Sequence, residues 1–345
     1  MQKIAVEMKK TALFLLAEGS IDSIIAWQKG QFAYDNEPGF FSCAAELEKM
    51  IYDGFCGSNL SKYLARHGTI DAFTKNNNAG MSPASKHADT RKTLIFLKPC
   101  DTYSLNGLLA ENQVLRGNIR AVGIGCVGHI DINKIRAKGF SGIIDIRENG
   151  DFLEIQTACG DGTCPRAETL LDKCLSCKGK EHKIFDELIG ADLSEETAPK
   201  TIENERFSEV ESIEAKTEDE RFDFWRNHLS RCIRCNACRN ICPVCICKKC
   251  VFDNTDSGVA AKVNVTDFEE NLYHIIRAFH VAGRCSDCGE CSRACPQNIP
   301  LHLLNRKHIK DINTFFGNFQ AGETADCKSP LTEPAANISS AAFNV

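Results

Sequence analysis

The first half of the chain alternates between two hydrophobic periods. "KKTALFLLAEG" carries apolar residues at helical spacing, whereas "DSIIAWQ" is a short continuous apolar run of the kind a buried strand makes. "AAELEKMIYDG" returns to helical spacing, and an Asn-rich polar stretch at 75–91 reads as a loop. "KTLIFLKPCD" predicts a strand running into a turn, with Asp101 capping a helix over "TYSLNGLLAENQ". "IRAVGIGC" predicts a second buried strand of this kind, "DINKIRAKG" a short helix and "FSGIIDIR" a third strand. Strands alternating with helical stretches imply right-handed βαβ units and a parallel sheet.

The pattern then changes twice. Residues 191–220 are nearly free of large apolar side chains and rich in Glu and Thr, as in a solvated linker or an exposed helix. Beyond them "VTDFEENLYHIIRAFHVAG" has the period of a core-packing helix within a cysteine-rich stretch, and the end of the chain is dominated by Gly, Ser, Ala, Asn and Pro. The expected organisation is an α/β domain with a mainly parallel sheet over 1–190, an acidic linker over 191–220, an α+β domain over 221–312 whose two C-x2-C-x2-C-x3-C-P runs make it two-cluster bacterial ferredoxin-like, and a flexible tail over 313–345.

Composition narrows the chemistry. A chain of 345 residues that is 43% hydrophobic is long enough for two domains with real cores. Its formal charge of −5 gives no basic footprint for nucleic acid. The 20 cysteines admit a disulfide scaffold, zinc sites or iron–sulfur clusters. Near the N-terminus, Glu18 closes the apolar run "TALFLLA" too early for a signal segment, and no stretch reaches the length of a membrane span. The expectation is a protein of the reducing cytoplasm, whose thiolates are available to metal.

The strongest motif is an internal repeat. Cys232, Cys235, Cys238 and Cys242-Pro243 form C-x2-C-x2-C-x3-C-P, and Cys285, Cys288, Cys291 and Cys295-Pro296 repeat that spacing. In two-cluster ferredoxins the first three cysteines of such a run hold one 4Fe–4S cluster and the fourth holds the other. Cys232, Cys235, Cys238 and Cys295 are therefore assigned to a first centre, and Cys285, Cys288, Cys291 and Cys242 to a second. A pair of zinc ribbons also uses C-x2-C pairs, but has no use for a third evenly spaced cysteine followed by Cys-Pro.

A subtler set lies in the first half. Cys100 and Cys126 fall at the carboxyl ends of successive predicted strands, where open α/β sheets bind ligands. Cys174 and Cys177, in "DKCLSCKG", supply a C-x2-C pair for the same crevice. Four thiolates meeting there make a third 4Fe–4S centre. The alternative is that Cys100 and Cys126 are buried core thiols.

"FLKPCDTYSLNGLLAENQV", "CIRCNACRNICPVCICKKC" and "CSDCGECSRACPQNIPLHLL" resemble the beta subunits of the deazaflavin-coenzyme-linked hydrogenase and formate dehydrogenase family, with "FCGSNLSKYLARH" fitting too, from about residue 10 to 312. The resemblance implies cluster ligands at Cys100, Cys126, Cys174 and Cys177, FAD, and electron passage between a deazaflavin or similar carrier and a catalytic partner subunit. The sequence departs from the family in lacking its initial Cys-Gly-Gly segment. It also passes from "CKGKEHKIFDELIGADLSEE" almost directly into the linker, where the family has a flavin-associated segment. There is no G-x-G-x-x-G, and the short "GIGCVGH" at 123–129 is a weak match to a phosphate loop. Retention and loss of FAD both stay open.

Cys245, Cys247 and Cys250 exceed what one cluster takes, although the family's run carries similar extras. Lys248 and Lys249 beside them favour thiolate. Cys43, Cys56, Cys159 and Cys164 have no diagnostic spacing and read as structural thiols. Cys327 reads as exposed, and His280 and His302 as surface or supporting groups.

The expected function is an iron–sulfur electron-transfer subunit. Its partner is a formate dehydrogenase or hydrogenase catalytic subunit, or a heterodisulfide-reductase-like flavoprotein. The alternatives are an FAD-containing subunit that itself turns over a deazaflavin or nicotinamide carrier, and a zinc-stabilised interaction module.

Overall fold

The computed structural model describes residues 1–65, 92–178, 181–190, 206–247, 249–254 and 267–332. Helix α1 (Gln2–Ala17) buries Ile4, Met8 and Ala12, one per turn, as its period predicts. Strand β1 (Ser23–Lys29) buries Ile24 to Trp27 in an unbroken run, and β2 (Asn36–Phe41) pairs with it antiparallel. The helix expected over "AAELEKMIYDG" is a short 3-10 turn at Ala44–Lys49 that gives way to β3 (Met50–Ile51), antiparallel to β1. Met50 and Tyr52 are buried while Ile51 between them is only partly so, which is the period of a strand edge. The Asn-rich stretch at 75–91 lies outside the described residues.

β4 (Thr93–Leu97) and β5 (Ile119–Ile124) follow, with α2 (Pro99–Ala110) between them. β1, β4 and β5 run parallel in the order β2-β1-β4-β5, with β3 off this path beside β1, in a mixed sheet with mainly parallel strands. α2 starts two residues before the expected cap. Lys98 is its N-cap, and the Asp101 carboxylate accepts the Lys98 backbone N–H at 3.4 Å.

After α3 (Ile132–Ala137), the third strand of the expected parallel series is instead β6 (Ile143–Asn149). It pairs antiparallel with β7 (Phe152–Thr157), which pairs with β8 (Gly162–Pro165), in a separate three-stranded sheet. The reason is legible locally: Gly150-Asp151, between the paired Asn149 and Phe152 and with Gly150 at φ +60°, closes a two-residue hairpin. The strand that completes the parallel series is β9 (Glu187–Ile189), after the short α4 (Asp172–Leu175).

From 206 to 332 the described residues form helices and turns and no strand, so the α+β character expected there is not seen among them. Of the expected linker, 191–205 lies outside the described residues. α5 (Ser208–Glu214) and α6 (Glu218–Leu229) cover most of the rest and run into the cysteine-rich stretch. α5 is no free linker: Val210 and Ile213 are buried against Leu303. α7 (Ala237–Asn240), α8 (Asp267–Val281), α9 (Glu290–Arg293) and α10 (Leu301–Phe316) complete the array. Part of the expected tail is also anchored, since Asn106 donates to the Gly322 carbonyl at 3.0 Å. No helix among the described residues is long and apolar enough to cross a membrane.

Candidate metal centres

Both ferredoxin loops have one backbone design. Arg234 and Asn236 sit at φ +51° and +61°, and their repeat equivalents Asp287 and Gly289 at +52° and +67°. These left-handed residues curl each loop so that the backbone N–H of Arg234 donates to Cys232 Sγ at 3.3 Å and that of Asp287 to Cys285 Sγ at 3.4 Å. A four-residue helix then carries the third cysteine of each run, Cys238 in α7 and Cys291 in α9.

The structure brings the first set together: Cys232, Cys235, Cys238 and Cys295 line one small cavity with Ile233, Tyr273 and His274. Burial pushes the Cys232 thiol up to about 12, opposed by its hydrogen bond from Arg234. In the second set, burial pushes Cys285 well up and Cys291 up to about 12, and Cys242 is a charged neighbour of Cys285, Cys288 and Cys291 alike. Cys242 of the first run thus lies beside the three leading cysteines of the second, and Cys291 also neighbours Cys238.

The half-chain set also converges. Cys100 lies in the first turn of α2 and Cys126 just past β5, at the carboxyl ends of adjacent parallel strands. Cys126 Sγ is 3.6 Å from His129 Nε2, and the His129 backbone N–H donates to Cys174 Sγ at 3.4 Å. Burial, then Cys174, push the Cys126 thiol up to about 12, with Cys177 adding to it. Burial and Asp101 push Cys100 well up, with Cys126 contributing. Thiols so placed keep their protons until a cation replaces them, and a metal makes that exchange. The donor chemistry of all three sets fits a 4Fe–4S cluster.

The third set abuts the second. Ser104 of α2 and Ser286, the residue after Cys285, share a hydrogen bond of 2.8 Å. Lys173 pairs with Glu290, which stands beside Cys291, and donates to the Gly57 carbonyl at 2.8 Å. Arg306 joins Ser176 Oγ at 2.7 Å to Asp287 at 3.1 Å. Beside this seam opens a cavity of about 510 Å³. Phe32 and Tyr34, stacked with centroids 5.5 Å apart, and Lys173, Gly289, Arg293 and His302 are among its lining residues.

The surplus cysteines divide. The Cys245 thiol hydrogen-bonds Cys242 and holds it below the ordinary thiol range, with Arg277 and Lys62 as the nearby cations, while that bond and burial push Cys245 itself up. Lys248, expected in that role, lies outside the described residues. Cys250 bonds Arg239, and Cys247 is exposed. Cys56 and Cys164 are buried in different cores while Cys43 and Cys159 are exposed, so these four make no common site.

The sequence reading missed the wall of the first centre. Cys232 Sγ, a Glu270 oxygen and a His274 nitrogen lie within 4.8 Å of one another. Both His274 nitrogens are buried without a partner, and burial followed by Arg277 and Arg234 pushes its pKa down to about 3, so the imidazole is neutral. The signal was present as Glu270 and His274, four apart on one face of α8.

A family described as "4Fe-4S dicluster domain" matches residues 228–299. "F420-dependent formate dehydrogenase subunit beta" of Methanocaldococcus jannaschii is 23% identical over 88% of this chain and 89% of its own length. "F420-dependent formate dehydrogenase 1 subunit beta" of Methanococcus maripaludis is 22% identical over 72% of this chain and 75% of its own. Over most of its length the chain is thus similar to these beta subunits. A solved structure titled "Xenon derivatization of the F420-reducing [NiFe] hydrogenase complex from Methanosarcina barkeri" matches 66% of this chain and 86% of the chain compared, at TM-score 0.37 and 13% identity.

In this chain the glycines of "GIGCVGH" are spent on packing. A Cβ at Gly123 would meet Leu188 at 2.5 Å, and one at Gly125 would run into the Gly190 carbonyl. Gly128, at φ +87°, approaches Leu170 and Cys174. Packing alone accounts for glycine at these three positions.

Proposed function

We propose that the chain is an iron–sulfur electron-transfer subunit with three 4Fe–4S centres in series: the Cys100, Cys126, Cys174 and Cys177 centre, then the second ferredoxin centre, then the first. The observation that carries this reading is the seam. Ser104–Ser286 and Lys173–Glu290 set the third group of cysteines against the second ferredoxin loop, which makes the second centre the middle one. Cys235, an exposed cysteine of the first set, is the point nearest solvent at the other end. The clusters supply one-electron storage. The chain's residues hold them apart from water, fix their spacing through the seam and set their potentials by charge and by hydrogen bonds to sulfur.

The natural partner is the catalytic subunit of a redox complex, such as a formate dehydrogenase or hydrogenase, or a heterodisulfide-reductase-like flavoprotein. The units at 1–190 and 221–312 are then the two halves of the electron path. The relatives' names supply the carrier-linked alternative, in which this chain uses FAD to oxidise or reduce a deazaflavin or nicotinamide carrier itself. The cavity at the seam supports that second reading, because an aromatic stack and cationic side chains face a space beside two cluster sites.

One preparation of anaerobically purified protein tests both. About twelve iron and twelve sulfide per chain support three centres, and about eight would remove the third. One released flavin per chain favours the carrier-linked reading. Zinc without iron sinks the redox reading and favours an interaction module, with Cys232, Glu270 and His274 as donors for a mononuclear ion.

A further inference from the structure

Two lysines are buried against the third set of cysteines, and they differ in what else they touch. Lys98 is fully buried, pairs with Asp101 at 2.8 Å, donates to the Ser58 carbonyl at 2.7 Å and stands 4.3 Å over the Trp27 ring. All of these partners belong to the sheet side. Lys173 faces the other way. It precedes Cys174, its ammonium meets Glu290, and Glu290 precedes Cys291 of the second set. The approach is close enough that a Cβ on Gly289 would meet the Lys173 side chain at 2.6 Å.

Charge in this seam is not balanced. The buried Glu290 carboxylate also takes Arg293, whose Nη2 donates at 2.8 Å and whose Nε donates at 3.0 and 3.1 Å. Two cations therefore share one carboxylate between two cluster sites. Reduction adds a negative charge to a cluster, and a nearby fixed cation in a poorly polarisable interior favours the reduced form.

We propose that Lys173 is a positioning residue shared by the third and second centres, its single ammonium raising the potentials of both together. This inference rests on the third centre proposed above. Lys98, by contrast, acts on the third centre alone, and neither lysine reaches the first.

The test is an anaerobic redox titration of the full chain, followed by electron paramagnetic resonance, with iron counted in each preparation. In Lys173→Met the third and second centres are expected to lose at least tenfold in their one-electron reduction equilibria, about 59 mV, while the first does not move. Lys173→Arg keeps the charge and restores both potentials. Glu290→Gln removes the countercharge and shifts the same two centres the opposite way, so the proposal stays testable if the Met variant does not fold. Lys98→Met moves only the third. Twelve iron with unmoved potentials in Lys173→Met, or shifts of one sign in both Lys173→Met and Glu290→Gln, overturns the shared role alone. Eight iron in the unaltered protein overturns the third centre and this inference with it.

Discussion

Ser104 and Ser286 share a buried hydrogen bond of 2.8 Å, four residues past Cys100 on one side and one residue past Cys285 on the other. Neither hydroxyl has a reason to meet the other from sequence neighbourhood, since 182 positions separate them. Their contact fixes α2 against the second ferredoxin loop. With Lys173–Glu290 and Ser176–Arg306–Asp287, it makes a polar seam between two cysteine sets.

The seam should be sensitive at Arg306, which is 1% exposed. Arg306→Ala leaves the buried Asp287 carboxylate with Arg206 as its remaining arginine partner, at 2.9 Å. Breaking a buried ion pair by removing one member costs about 3–5 kcal/mol, and the surviving Arg206 places this variant near about 3 kcal/mol. Ser104→Ala should cost only about 1 kcal/mol. Urea denaturation of the anaerobic protein measures both. Equal losses in the two variants would mean that the charged link carries no special share of the seam.

The third centre makes a compositional prediction. Cys126→Ala and Cys174→Ala should each take iron from about twelve to about eight per chain while leaving the ferredoxin centres intact, because neither thiol is among the eight assigned to those centres and neither substitution removes a residue of the seam. Cys56→Ala is the control: this thiol is buried near the same site yet belongs to the hydrophobic core, so full iron is expected. Loss of iron from the Cys56 variant would make it a ligand.

Cys242 and Cys245 predict redundancy. The Cys245 thiol already touches Cys242, in a small apolar cluster with Cys285, Val244 and Val281. In Cys242→Ala the neighbouring thiol is placed to take over, so iron should stay near about twelve with an altered resonance spectrum of the second centre. Cys242→Ala with Cys245→Ala should lose about four iron. If the single variant already loses them, Cys245 serves only as a hydrogen-bond donor.

How much of this was legible follows from the range of each signal. The two ferredoxin runs are local patterns, and their left-handed residues at Arg234, Asn236, Asp287 and Gly289 follow from the tightness of the same loops. The strand ends at Cys100 and Cys126 were legible too, because apolar runs mark buried parallel strands. β6 was expected in the parallel series because the strand–helix alternation before it continues the βαβ pattern, whereas the Gly150-Asp151 turn folds it into an antiparallel hairpin with β7. The seam was not legible, because Ser104, Lys173, Glu290 and Arg306 are ordinary surface-type residues until tertiary packing buries them. The glycines at 123–129 are ambiguous for a related reason: a glycine needed for close packing looks the same in sequence as one cradling a phosphate.

The contact between α5 and α10 should depend on pH with a defined sign. Glu214 receives Lys307 at 2.7 Å and Lys310 as well. Burial works against its charge, but the two ammonium groups outweigh it and hold the carboxyl below its ordinary range. A carboxylate lowered in the folded state stabilises above its unfolded pKa, and that contribution is lost as pH falls through the folded value. Because the group is partly exposed, the contribution is about 1 kcal/mol at most. Glu214→Gln should therefore be less stable than the unaltered chain at neutral pH and converge with it in acid. Amide hydrogen exchange along α5 at two pH values measures this locally, and a difference that stays constant or grows in acid would rule the ion pairs out as its source.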